Sequence, residues 1–397
     1  MNTTPRFTLA AAAAALALVG GCADDVTGTT TDDLRHRAYI VARDSSELTV
    51  IDLDRLAIIG RIPTTGVLNH MAELNADFTK LYVDSSASDE AVVIDTRSLT
   101  VTGRIPLGRH PTHASLSRDG RLLAVMDEDE GTGAVSFIDT ATDREVARLG
   151  GFYTPHFMRF APDGRYGYVA NLDAYHLTRV DLSTLTIDGT IALDGFAGPP
   201  DETRAPGEGG FADAQIDATG MLYAAHSASG KVLVYDTVAR AKQPELTVGP
   251  HPWIVYAEHP FADLPRRHLV PTFGDQQVSI IDGAARAVVA AMPGDQEAFG
   301  VNYSPLTPDK AFVMNRVRED IAVVDTARGT ITARIPVGGN TETASTTADG
   351  KWIVAAVSSA NQVVVIDAET NAIVKTFDDV GSYPWSVTIP DGQNYCH

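Results

Sequence analysis

The stretch Pro162-Asp163-Gly164-Arg165-Tyr166-Gly167-Tyr168-Val169-Ala170-Asn171, closed ten residues later by Arg179-Val180-Asp181, decides the fold. Asp-Gly between two apolar runs is hairpin chemistry, because glycine takes positive φ without a Cβ clash. The run after it is rich in aromatic and β-branched residues and reads as a strand. The aspartate ending the next run closes a strand and hydrogen-bonds the backbone of the following turn.

Both halves of this stretch recur. The closing aspartates are Asp52, Asp95, Asp139, Asp181, Asp236, Asp282, Asp325 and Asp367, spaced 43, 44, 42, 55, 46, 43 and 42 residues apart. The turn recurs as Arg118-Asp119-Gly120, Ala348-Asp349-Gly350 and Pro390-Asp391-Gly392. A period in the low forties with several strands per unit means a β-propeller. Each unit reads as strand, Asp-Gly turn, strand, turn, strand ending in Asp, turn, strand. The expected fold is all-β: a single propeller of eight four-stranded blades.

The two ends of the repeat are out of phase. The domain opens on a second strand, Ala38 to Ala42, and finishes on a first strand, Trp385 to Ile389. The C-terminal strand should therefore complete the first blade, which removes both exposed edges of an open array. A seven-bladed ring, the alternative, leaves one complete unit unexplained.

The chain has 397 residues, 44% hydrophobic and 21% charged, with a formal net charge of -20. That acidity excludes a nucleic-acid binder, which needs a basic footprint. The two cysteines, Cys22 and Cys396, make neither a disulfide framework nor a CxxCH haem-attachment motif. Arg6 followed by the apolar run from Leu9 to Val19 reads as a signal segment, too short for a standard membrane span. It ends Leu18-Val19-Gly20-Gly21-Cys22, small residues before a cysteine, which matches a bacterial lipoprotein signal. The expected organisation is a signal peptide over 1–21, a lipidated flexible tether over 22–37 and the propeller over 38–397. Lipid on Cys22 would hold the protein on a membrane of the cell envelope by that anchor only.

The PDG-then-YVAN run at Pro162 to Asn171 and the repeated V-I-D-T runs resemble the YVTN-type β-propeller repeat family, often exported by bacteria. The resemblance covers roughly residues 38–397 and is specific for fold rather than function. Eight such blades are also similar to the d1-haem propeller of cytochrome cd1 nitrite reductase and its relatives, although no cytochrome c motif accompanies them here.

In a propeller the first strands line the channel and their opening residues converge on one face. Counting back from the turns places those openings near His70, His113, His156, Ala212, Trp253, Phe299, Glu342 and Trp385, flanked by His110, His251, Glu73, Asp213 and Glu297. Five of the eleven histidines fall at these starts. His70, His110, His113 and His156, with Glu342 or Glu73, make a candidate set for zinc, copper or iron, or for a haem. Against this, Pro-His and His-Pro pairs are common before the first strand in this repeat family, where a histidine can simply hydrogen-bond a neighbouring blade. The long insertion before the fifth blade carries Asp201, Glu202, Arg204 and Glu208, which on that face would form a ligand or partner loop. His251-Pro252-Trp253 and Tyr383-Pro384-Trp385 put two tryptophans at equivalent places, fit for packing or for an aromatic wall.

No GxSxG elbow, Walker loop or dinucleotide fingerprint is present. The leading expectation is a non-catalytic scaffold binding a small molecule or protein on the channel face. The second is a protein that binds or delivers a transition metal or haem-type cofactor through the histidines. The third is a propeller hydrolase of the lactonase kind or an oxidoreductase, whose site would be assembled from separate blades.

Overall fold

Each closing aspartate is the last residue of a third strand, and each strand sits in its own blade. The computed structural model describes residues 31–394 except 65, 67, 130–132, 197–208, 258–266 and 295–296. Blade 2 shows the pattern: Asn69–Leu74, Lys80–Ser85, Glu90–Asp95 and Thr100–Pro106 run antiparallel from channel to rim. Blades 3, 4 and 5 open with Pro111–Leu116, Pro155–Phe160 and Phe211–Ile216, and blades 7 and 8 with Ala298–Tyr303 and Thr341–Thr346. In blade 6 the strands Arg267–Thr272, Gln277–Asp282 and Ala287–Pro293 are complete. Its inner stretch is held by two isolated bridges, Pro252↔Thr272 and Tyr256↔Leu269.

The ring closes as the repeat phase requires. Pro384–Thr388 forms the inner strand of blade 1 against Arg37–Ala42, with Ile40 opposite Val387. Eight blades result, not seven. A short strand, Gln393–Asn394, then adds to the inner strand of blade 8, which the repeat pattern does not announce. The short helix Thr31–Arg35 puts Leu34, within the stretch read as a tether, fully into the core between blades 1 and 2.

The β-branched runs exist because both faces of each blade are buried. Val92 and Ile94 pack toward blade 1, whereas Ala91 and Val93 between them pack toward blade 3. Period-2 alternation thus feeds two different interfaces, so the run is apolar on both faces, with small hydroxyl residues such as Thr49, Ser136 and Ser279 the buried exceptions. The turn chemistry is equally uniform. The Oδ1 of Asp139 accepts the amides of Ala141 and Thr142 (3.1 and 2.9 Å), and that of Asp367 accepts those of Glu369 and Thr370 (3.1 and 2.8 Å). The residue four places on is left-handed in every blade, as at Leu56, Leu99 and Gly329. No described helix is long and apolar enough to cross a membrane.

Candidate functional site at the channel mouth

The mouth is built by a device repeated in all eight blades. The residue before each inner strand offers its carbonyl to the amide of the residue just after the second strand. Examples are Glu128 N to His110 O (3.1 Å), Phe273 N to His251 O (3.0 Å), Arg316 N to Glu297 O (3.2 Å) and Arg43 N to Tyr383 O (2.9 Å). In six blades the residue whose carbonyl accepts is a non-glycine residue at positive φ, including His110 (56°) and His251 (52°). Histidine is enriched in that strained region, and both side chains are exposed. The turn is therefore a sufficient reason for these two residues. The device sets two rings of side chains around the channel: the openings of the inner strands and the residues ending the second strands.

Next, the inner strands bulge. The pairing register skips Thr112 in blade 3, His156 in blade 4 and Trp385 in blade 1. Bulges re-aim side chains at sheet ends. In blade 2 the bulge is fixed by Asp84, whose Oδ1 accepts the amides of His70 (3.0 Å) and Met71 (2.8 Å). Burial pushes the Asp84 carboxyl well above its ordinary range.

These bulges bring His70, His113 and His156 together. Ring centroids are 4.6 Å apart for His70–His113 and 4.0 Å for His113–His156. The Nδ1 of His70 lies 2.9 Å from Thr112 O, and that of His156 lies 2.8 Å from Ala212 O, each on the next blade. A carbonyl only accepts, so both Nδ1 atoms carry a proton, and in the neutral ring Nε2 is the nitrogen that keeps the lone pair. Burial, reinforced by His113 and His156, holds His70 well below the ordinary imidazole range, so it stays neutral. Glu128 completes the group: its Oε1 is 3.4 Å from His113 Nδ1 and 3.8 Å from His156 Nε2.

Aromatic rings continue the arc. Trp385 lies 5.3 Å from His70, Trp253 lies 6.2 Å from His156, and Trp253 stacks at 6.1 Å on both Phe273 and Phe299. Guanidinium groups cap its ends, Arg316 at 3.5 Å over Phe299 and Arg43 at 5.0 Å over Trp385. The Nε1 atoms of Trp253 and Trp385 are buried with no hydrogen-bond partner among the described residues. Each such donor costs about 1–3 kcal/mol unless something accepts from it.

Beneath the histidines, Met71, Phe157 and Trp385 form an apolar floor. Below the floor the channel turns polar again. Glu73, Ser115, Arg159, Gln215 and Gln393 line a cavity of about 300 Å³. Arg159 holds Asp213 through both carboxylate oxygens (3.1 and 2.6 Å) and lies 4.0 Å over Phe157. Burial pushes Glu73 up to about 7, against the pull of Arg159. Gln393 lines this end, its Oε1 accepting from Tyr303 N (2.7 Å).

Of the residues read from the sequence as candidates, His70, His113, His156, Trp253 and Trp385 meet at the mouth. His110 and His251 stay outside the ring contacts, on exposed turns. Glu342 lies in the inner strand of blade 8 but its side chain, like Cys22, Asp201, Glu202, Arg204 and Glu208, is outside what the structure describes. His268 is fully buried in a second strand beside Tyr223. Sequence reading missed Glu128, Arg43, Phe273 and Arg316. All four are the first residue after a second strand, so extending the repeat by one position would have found them.

Comparison with known proteins agrees with this architecture. No curated protein matches the sequence. The family model described as Cytochrome D1 heme domain matches residues 268–383, which span blades 6 to 8 and include Phe273, Phe299 and Arg316. Among solved structures, the dihydro-heme d1 dehydrogenase NirN in complex with DHE aligns at 16% identity and TM-score 0.74, covering 90% of this chain and 76% of that one. Hydrazine synthase from Kuenenia stuttgartiensis aligns at 16% identity and TM-score 0.55, over 81% and 89% of the two chains. AztD from Citrobacter koseri aligns at 11% identity and TM-score 0.62, over 88% and 96%. The chain is thus an eight-bladed propeller that resembles the d1-haem propellers, with the family match covering blades 6 to 8.

Proposed function

We propose that this protein binds or delivers a haem-type macrocycle at the histidine mouth. The observation carrying the proposal is the arc of rings with an arginine at each end. A planar conjugated ligand needs flat apolar faces, which Trp253, Phe299 and Trp385 supply. Its carboxylate arms need cations and donors, which Arg43, Arg316 and the two indole N–H groups supply. Its iron needs a neutral nitrogen ligand, and His70 has a lone pair on Nε2 with Nδ1 tied to a carbonyl. When bound, such a group supplies redox chemistry and an open iron position. The match to the Cytochrome D1 heme domain supports this reading, because it covers two of the residues concerned, Phe299 and Arg316.

The test is titration of the purified protein with hemin, followed by the Soret band. Wild type is expected to bind one equivalent with a shifted band. His70→Ala should abolish the shift, and Arg43→Ala with Arg316→Ala should weaken binding by about tenfold or more. A wild-type protein that leaves the hemin spectrum unchanged overturns the proposal and returns the mouth to the ligand- or protein-binding scaffold expected from sequence.

We propose further that the propeller is exported and tethered by lipid on Cys22, supported by the small residues before that cysteine. Cys22→Ser should move the protein from the membrane to the soluble fraction and end its labelling by a fatty-acid probe. Unchanged fractionation and labelling would refute the anchor.

A further inference from the structure

We infer that His113, Glu128 and His156 form a site for a divalent transition-metal ion of the zinc or copper class. The inference goes beyond the macrocycle reading, because three side chains of blades 3 and 4 suffice for it. One ligand atom from each residue lies within 4.8 Å of the other two. Around an ion with bonds of about 2.0–2.2 Å, tetrahedral ligand atoms sit roughly 3.3–3.6 Å apart. The Glu128 Oε1 separations of 3.4 Å to His113 Nδ1 and 3.8 Å to His156 Nε2 are already close to that edge length. Small side-chain shifts close the rest.

The donor chemistry fits as well. Two imidazole nitrogens and one carboxylate oxygen are a borderline set, suited to zinc and copper rather than to calcium or magnesium. The Nδ1 of His156 donates to Ala212 O, which fixes the tautomer that leaves Nε2 free to ligate. Glu128 is a mostly buried carboxylate whose described ion-pair partners are these two histidines. A cation there satisfies a charge that burial otherwise disfavours. Thr112 Oγ1, 3.0 Å from His113 Nδ1, is the neighbour the ion must displace. Three protein ligands leave the fourth position to water or an incoming ligand, the pattern of an open site rather than a closed structural one.

The experiment is titration of the tag-free, chelator-treated protein with Co²⁺, read by its visible d–d bands, followed by Zn²⁺ displacement. Wild type should take up one equivalent with the intense bands of a four-coordinate site. Glu128→Gln should weaken binding at least tenfold, and His156→Ala should abolish the bands while circular dichroism and thermal melting show the fold intact. His110→Ala should change nothing. No stoichiometric uptake, or wild-type affinity in either Glu128→Gln or His156→Ala, overturns the inference. Phe299→Ala and Arg316→Ala separate it from the macrocycle reading, since they should weaken hemin while leaving Co²⁺ binding unchanged. Hemin binding without Co²⁺ uptake sinks only the metal site, and the converse sinks only the macrocycle.

Discussion

The two ends of one channel solve the problem of buried polarity in opposite ways. At the far end, Arg159 and Asp213 satisfy each other, Gln215 adds to Asp213, and the last strand pairs onto blade 8 beside them, leaving Glu73 and the Ser115 hydroxyl to the cavity. At the mouth, His70 and His156 tie Nδ1 to carbonyls and leave Nε2 to the channel, two indole donors lack acceptors among the described residues, and the described ion-pair partners of Glu128 are imidazoles. Met71, Phe157 and Trp385 separate the two. A polar group paired within the chain contributes to stability, whereas one left open in a rigid frame is available to a ligand. The far end therefore reads as architecture and the mouth as the site.

The largest effect that could break this contrast is on stability. Arg159→Met leaves Asp213, 2% exposed, as an uncompensated buried carboxylate. It should cost about 3 kcal/mol in denaturant unfolding, at the low end for a broken buried pair because Arg159 is itself partly exposed. His156→Ala at the mouth should cost clearly less. Equal costs would erase the distinction between frame and site.

Ligand-linked stability comes next. Zn²⁺ at one hundred times its dissociation constant should stabilise the wild type by about 2.7 kcal/mol. Glu73→Gln, below the floor, should retain that gain and His156→Ala should lose it, as read by thermal shift. A gain that survives His156→Ala would place the ion elsewhere.

The pH dependence sharpens the contrast further, because Glu73 below the floor and His70 at the mouth have opposite signs. Glu73 titrates near 7 in the fold and at 4.5 ordinarily, so between those values the folded chain holds a proton the unfolded chain has released. Its contribution falls as pH rises through that window. His70 is held below the ordinary 6.5, so the unfolded chain binds more protons there, and its contribution falls as pH drops below 6.5. Asp84 is raised by burial, and Asp127 is raised to about 7, so both share the sign of Glu73. Differences from wild type isolate each group: Glu73→Gln should make stability rise more steeply with pH, and His70→Gln less steeply.

The smallest effect belongs to neither end. Asp367→Ala at the blade 8 rim removes the acceptor for Thr370 and Glu369 and should cost about 1 kcal/mol. Those same bonds, the Thr370 amide first, hold its carboxyl below the ordinary range, so what it contributes is lost only as pH falls below that range. Hemin and Co²⁺ binding should be untouched, which would show that rim turns are not coupled to the mouth.

The comparison also explains what could be read in advance. Asp95, Asp139 and their equivalents were legible because a turn is local: the aspartate and the amides it binds lie within three residues. Val92, Val93 and Ile94 were legible because burial on both faces selects apolar residues. His70, His113 and His156 were legible as channel residues because blade-long spacing fixes an equivalent position in each blade. Glu128 was not legible as their partner, because it reaches the mouth from the end of a different strand.

The sequence by itself determined the eight blades, the closure by the C-terminal strand and the face on which the histidines gather. Those depend on period and on local hydrogen bonds, which a chain carries in its own order. Only the tertiary structure decided which histidine nitrogen is open, that Glu128 stands between His113 and His156, and that His110 serves a turn instead. Those outcomes depend on single-residue bulges and on carbonyls of the neighbouring blade, such as Thr112 O and Ala212 O, which meet the side chains only once the ring is closed.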